Sequence, residues 1–154
     1  MTDTYRSGRA SFADTKDIDL FVATLERFER GEIDADTWRG FRLLNGVYGQ
    51  RQLESQMLRI KAPQGILEAK QLRKLADVAE EFASGRGHVT TRQNIQMYDL
   101  KLERAEAAMH SLAEAGLTTK EACGNSIRNV TASPLAGVDP DEPFDVTPFA
   151  EAMT

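Results

Sequence analysis

Three short stretches hold the residues of this sequence best suited to chemistry. Thr90-Thr91-Arg92-Gln93-Asn94-Ile95-Gln96 sets six polar side chains in seven residues, nearly all of them able to donate hydrogen bonds. Such a run suits several carboxylates or phosphates held by charge-assisted bonds; the competing reading is a polar edge strand. Arg59 stands between Leu58 and Ile60. An arginine is always charged and carries its donors in a rigid fork, so a strand interior suits it only where that face meets solvent or an anion. Gly124-Asn125-Ser126-Ile127-Arg128-Asn129 adds two amides, a further guanidinium and a glycine that lets the main chain come close to a ligand. The chemistry common to all three is anion binding.

Other chemistries find less support. The glycine stretch lacks the spacing and the Gly-Lys-Ser/Thr ending of a phosphate loop, and it is no dinucleotide fingerprint. His88, His110 and the single Cys123 form no metal-ligand spacing. The thiol has no indicated base to activate it, so Cys123 reads as a small buried hydrophobe. No pair stands out among the 24 acidic residues. The net charge of −5 gives no global attraction for nucleic acid. Arg39, Arg42, Arg51, Arg59 and Lys61 nevertheless lie close together, with Arg86, Arg92 and Arg128 following. A local basic surface in an acidic chain suits a small anion, with ordinary surface charge as the competing reading. No apolar run approaches the roughly 20 residues that span a bilayer, so no membrane contact is expected. The polar start lacks a secretory pattern, and one cysteine suits a reducing compartment, so we expect the cytoplasm.

The elements that must position these residues read as an α/β unit. Residues 1–13 read as a polar arm. Ile18, Phe21, Val22, Leu25 and Phe28 predict a helix over 17–29, with Asp14 or Asp17 as cap and Gly31 as stop. A short helix after Asp34 carries Trp38 and Phe41, and 47–52 is a turn or lead-in strand. Residues 53–61 predict a strand with Leu53, Ser55, Met57, Arg59 and Lys61 on one face and Leu58 and Ile60 towards the core. A helix over 67–83 buries Leu67, Leu72, Leu75, Ala76, Ala79 and Phe82, and Gly85 closes it. His88 to Leu100 is extended, with a kink near Gln93-Asn94 that makes room for an additional strand. A helix over 102–115 turns Leu102, Ala105, Met109 and Leu112 inward, and 117–119 starts a last short strand. This order implies a two-layer sheet of split βαβ type with helices on one face. Beyond 120 the chain is loop-like, and 140–154 reads as the start of a new element or a docked tail.

Three motifs together resemble a known family. Met57-Leu58-Arg59-Ile60-Lys61-Ala62-Pro63-Gln64-Gly65 looks like the first strand and turn of the ferredoxin-like half-domain of sirohaem-dependent nitrite and sulfite reductases. Thr90 to Gln96 is similar to that family's cofactor motif. Asn125-Ser126-Ile127-Arg128-Asn129-Val130, followed by Ser133-Pro134-Leu135-Ala136-Gly137, is similar to its third. Their order and separation also match, over roughly residues 40–150.

The resemblance implies an α+β, ferredoxin-like half-domain over 46–120, a helical extension over 1–45 and the truncated start of a sirohaem-binding domain over 121–154. It implies that Thr90, Thr91, Arg92, Gln93, Asn94, Gln96, Asn125, Arg128 and Asn129 bind the carboxylates of sirohaem. Arg59 and Arg128 would face sulfite or nitrite during six-electron reduction. The family's 4Fe–4S cysteines and distal lysines lie further along, so the cluster belongs to a region outside this chain. The remainder of the reductase and an electron donor, ferredoxin or an NAD(P)H flavoprotein, are the implied partners. The chain alone is expected to be inactive. A fragment resembling precorrin-3B synthase and a non-catalytic anion-binding domain of the same fold remain alternatives.

Overall fold

A computed structural model describes residues 11–52 and 54–154; most of the expected N-terminal arm and the strand position Leu53 lie outside the described residues. Two helices come first. Asp34 caps α2 (Ala35–Leu44), its carboxylate accepting from the Asp36 and Thr37 amides. Asp14, rather than Asp17, caps α1 (Thr15–Glu29), and Gly31 follows that helix at φ +74. Asp17 instead pairs with Lys120. The two helices meet through Phe21, Phe28, Trp38 and Phe41, whose rings lie 5.5–6.3 Å apart.

Four antiparallel strands follow, β1 (Val47–Gly49), β2 (Ser55–Ile60), β3 (Gly87–Val89) and β4 (Ile95–Lys101), in the order β1-β2-β4-β3. Helix α3 (Ala69–Phe82) follows β2 and α4 (Ala105–Ala113) follows β4, and α5 (Thr147–Ala152) lies near the end. The core joins Val47, Leu58, Ile60, Met97 and Leu100 of the sheet to Phe21, Leu75, Val78 and Leu112 of the helices. Each large side chain so buried contributes about 1.5–3 kcal/mol. The opposite face of the sheet carries Arg59 and Gln96, paired across β2 and β4, with His88 of β3 next in the row.

Strand β4 does not alternate throughout. Leu58 pairs with Met97 and Gln56 with Leu100, so Met57 faces two residues, Tyr98 and Asp99. Asp99 takes φ +64 in this bulge. Gln50 Oε1 holds it, accepting from the Asp99 amide and the Ser55 hydroxyl, both at 2.8 Å.

Several expectations are corrected. The buried stripe of α3 is Gln71, Leu75, Val78, Ala79 and Phe82, while Leu72 is 54% exposed and Ala76 is also outward. Gln71 can sit inward because its amide is paired, accepting from the Glu68 amide and donating to the Ala115 carbonyl. The extended stretch 88–100 is a hairpin, with Thr90–Asn94 as its turn. Gln93 adopts φ +59 there, and Thr90 closes the turn onto Asn94. The expected strand at 117–119 is one rung only, the Lys61 amide donating to the Thr118 carbonyl at 2.8 Å. On that side of β2 the chain at Gly46 already takes the Arg59 amide.

Lys61 leaves the basic surface expected of it. It is 5% exposed, with the Glu121 carboxylate 3.7 Å away. Burial pushes its pKa down, against the pull of Glu121. The folded state therefore binds this proton less tightly than the unfolded chain. The cost of the buried charge is full at neutral pH and fades as pH rises towards 10.5, the ordinary lysine value. Lys61→Met is expected to flatten this rise in stability, read from urea midpoints at about pH 8 and about pH 10. Gly46 supplies a second test. At φ +78, an added Cβ would lie 2.5 Å from the Thr119 oxygen and 2.7 Å from that of Arg59. Gly85, at φ +75, has nothing within 4 Å. Gly85→Ala should cost about 1–2 kcal/mol by urea denaturation, and Gly46→Ala clearly more.

Candidate functional site

The site is built where three turns meet at the open face of the sheet. The first is a 3-10 turn at Pro63–Gly65, with Gln64 at φ +59; the second is the Thr90–Asn94 hairpin turn; the third is the segment 128–132. Asn129 ties them together. Its Nδ2 donates to the Ala62 carbonyl at 2.8 Å and to the Arg92 carbonyl at 2.9 Å. Gln93 clasps the third segment from the second, donating to the Ala132 carbonyl at 2.8 Å and accepting from the Ala132 amide at 3.2 Å. Asn94 Oδ1 accepts from the Ala62 amide at 3.3 Å, and the Gln64 amide donates to the Val130 carbonyl at 2.8 Å.

This knot separates the residues singled out in the sequence into two groups. Gln93, Asn94 and Asn129 turn their side chains into the protein and bond to backbone. The Thr90 hydroxyl oxygen receives the Asn94 amide. Thr91, Arg92 and Asn125 are exposed, Arg59 and Arg128 partly so. Among the described residues, Arg92 and Arg128 form no side-chain hydrogen bond or ion pair. The knot retains buried capacity: Gln64 Oε1 and Nε2, Asn94 Nδ2 and Asn129 Oδ1 have no partner among the described residues.

Gln96 belongs to neither group. It is 9% exposed and lies opposite Arg59 in the ladder. A guanidinium offers only donors, so hydrogen-bond chemistry assigns the Gln96 oxygen to the arginine side. In that orientation Oε1 accepts from Arg59 Nε at 3.0 Å and also from Nη2, while Nε2 donates to Tyr98 Oη at 3.0 Å. Arg59 is thereby braced from within the sheet.

The arginines gather electrostatically around Cys123. Its thiol donates to the Leu43 carbonyl at 2.9 Å. Burial raises its pKa, and Arg59, Arg128 and Arg42, all close enough to act on it, pull the other way. Arg42, expected in the local basic surface but in none of the three motifs, comes from α2, donates to Gln56 Oε1 at 2.7 Å, and has its own pKa lowered by burial. Its signal was its position near the end of a helix leading into β1. Beside the knot lies a groove of about 350 Å³, lined by Gln64, Ile66, Leu67, Val89, Ile95 and Pro134 among others, with no arginine in its lining. The open sheet face carries Arg59, whereas the groove offers no guanidinium. Among the described residues, no three His, Cys, Asp or Glu side chains are grouped to hold a metal ion. No helix among them is long and apolar enough to cross a membrane.

Asn129→Ala removes the amide that donates to the Ala62 and Arg92 carbonyls and should lower stability by about 1–3 kcal/mol in urea denaturation. It should also loosen the Thr90–Asn94 turn, read as faster amide exchange at Asn94 than at Leu100.

Residues 48–115 match the family described as the nitrite/sulfite reductase ferredoxin-like half domain. A ferredoxin–nitrite reductase of Leptolyngbya laminosa is 40% identical over 90 residues, 58% of this chain and 18% of that protein. A sulfite reductase [ferredoxin] of Mycobacterium tuberculosis is 38% identical over 91 residues, 59% of this chain and 16% of that protein. The solved structure of the Mycobacterium tuberculosis NirA protein superposes with a TM-score of 0.75 at 28% identity, covering 94% of this chain and 31% of that one. The chain thus spans under a fifth of these two curated relatives and about a third of the solved one. With its antiparallel sheet backed by helices, the chain shares the fold of that solved structure, and its residues 48–115 are similar to the ferredoxin-like half domain of nitrite/sulfite reductases.

Proposed function

We propose that this chain supplies part of the cofactor and substrate site of a sirohaem-dependent reductase acting on nitrite or sulfite. The observation that carries the reading is the pair of bonds from Asn129, next to Arg128, to the Ala62 and Arg92 carbonyls, which ties two arginine-bearing segments to the chain just beyond β2, the strand of Arg59. Sirohaem presents many carboxylates, and the donor set here is matched to such a group: Arg92, Thr91 and Asn125 are exposed, and Arg92 and Arg128 have no partner among the described residues. In this reading Arg92, Thr90, Thr91, Asn125 and Arg128 hold carboxylates, and Gln96 braces Arg59. Gln93, Asn94 and Asn129 act through the backbone bonds that shape the cradle.

Arg59 and Arg128 bind the substrate oxyanion and offset negative charge on its oxygens. The bound cofactor supplies the electron transfer, and the protein supplies orientation and electrostatics. The remainder of a longer reductase supplies the iron–sulfur cluster, and ferredoxin, named for the relatives, is the donor we favour over a flavoprotein. Within this scheme residues 46–120 are the half-domain, 1–45 its helical extension and 121–154 the opening of the cofactor domain. In this reading the chain alone is inactive, and its single cysteine is compatible with a reducing compartment such as the cytoplasm.

The test is to express the full reading frame with sirohaem synthesis and record its visible spectrum and turnover. Arg59→Ala and Arg128→Ala should each lower kcat/KM for nitrite or sulfite by about tenfold to a hundredfold while tetrapyrrole absorption remains. A full product without tetrapyrrole absorption would sink the reading.

A further inference from the structure

Hydrogen-bond arithmetic on the open sheet face leads to a residue outside the three motifs' expected ligands. Arg59 has donors only, so the Gln96 oxygen must face it, and the Gln96 nitrogen must then donate to Tyr98 Oη at 3.0 Å. A phenol has one proton to give and lone pairs to receive. Here its oxygen is the acceptor. Its proton, which in the opposite amide orientation would go to Gln96, has no acceptor left among the described residues. Tyr98 lies two residues beyond Gln96, on the same face, and is partly exposed.

We infer that Tyr98 is a further ligand-binding residue of this site: the Gln96 amide fixes its phenol oxygen, and its free O–H donates to an oxygen anion held by Arg59. The anion is a cofactor carboxylate or a substrate oxyanion; both offer the same acceptor. This rests on the reading of the open face as an anion site. It adds a neutral donor beside a guanidinium, so the oxygen atoms are held by direction as well as by charge. The bulge at Asp99 helps set this placement, since it follows directly on Tyr98 and lets the strand return to the core at Leu100.

The test uses the 154-residue chain with 15N-labelled arginine. The Arg59 Nε–H resonance is followed while potassium nitrite, sodium sulfite or sodium acetate is added. Tyr98→Phe is expected to weaken the apparent Kd about tenfold for the anion that wild type binds. A role confined to orienting Gln96 would move the Arg59 resonance of the free protein and leave the Kd unchanged. Saturation by acetate alone points to the carboxylate, and saturation by nitrite or sulfite alone points to the substrate; the tenfold loss in either arm supports the inference. A Kd equal in Tyr98→Phe and wild type, with Arg59→Ala abolishing the response, overturns the role of Tyr98 and leaves the anion site standing. No saturable response of wild type to any of the three overturns both. The Tyr98 hydroxyl proton of wild type gives an independent reading: it should move downfield on anion addition, and an unmoved signal at saturation counts against the donation.

Discussion

The Asn129 carboxamide nitrogen has two protons, and it places them on the carbonyl of Ala62, just ahead of one turn, and on that of Arg92, in the middle of another. Arg128 is its neighbour in the chain. One side chain therefore fixes the backbone of two arginine-bearing segments against the end of β2, which carries the third arginine. Backbone carbonyls in turns that are shut off from water need such partners, and a buried amide left without them is costly. The cluster of guanidiniums is thus held from behind by neutral groups, while the charged ends stay available. This division of labour avoids what a buried ion pair would require, which is removing charges from water on both sides.

The same economy of groups governs the sheet. Arg59 rises from a strand whose other side is packed core, with Leu58 and Ile60 fully buried. A charge there needs a polar partner, and a neutral amide satisfies its donors while leaving the guanidinium its charge. Gln96 fills that requirement from the adjacent strand. Lys61, two residues further, takes the other solution and sits beside a carboxylate in a buried place. The two cations on one strand face are consequently unlike: one is braced and open, the other paired and enclosed.

The two N-terminal helices were legible because their signals are local: Asp34 ahead of α2, Gly31 after α1, and aromatic residues at helical spacing. The sheet with helices on one face also followed from Leu58 and Ile60 alternating with Arg59. The hairpin turn was legible only as a kink near Gln93-Asn94, not in its full extent from Thr90 to Asn94. Thr90 to Gln96 reads as strand by residue type, and the positive φ at Gln93 has no glycine to announce it. The same holds for Gln64 and Asp99. Which polar residues face inward was equally hidden, since Gln71, Asn94 and Asn129 are buried only because distant backbone groups meet them. Within the candidate site the arginines could be picked out by type, whereas the distinction between a side chain turned outward and one tied inward requires the fold.

The bulge in β4 bears on how this sequence can change over generations. Met97 and Leu100 both reach the core although three positions separate them, an arrangement an unbroken strand forbids. Substitutions between them can be absorbed one at a time, but a gain or loss of a single residue there would exchange inside for outside along the rest of the strand. Residue types within the bulge can therefore vary more freely than the spacing around them, which stays locked. In an alignment of relatives, the mark of that lock would be a column count rather than a residue type.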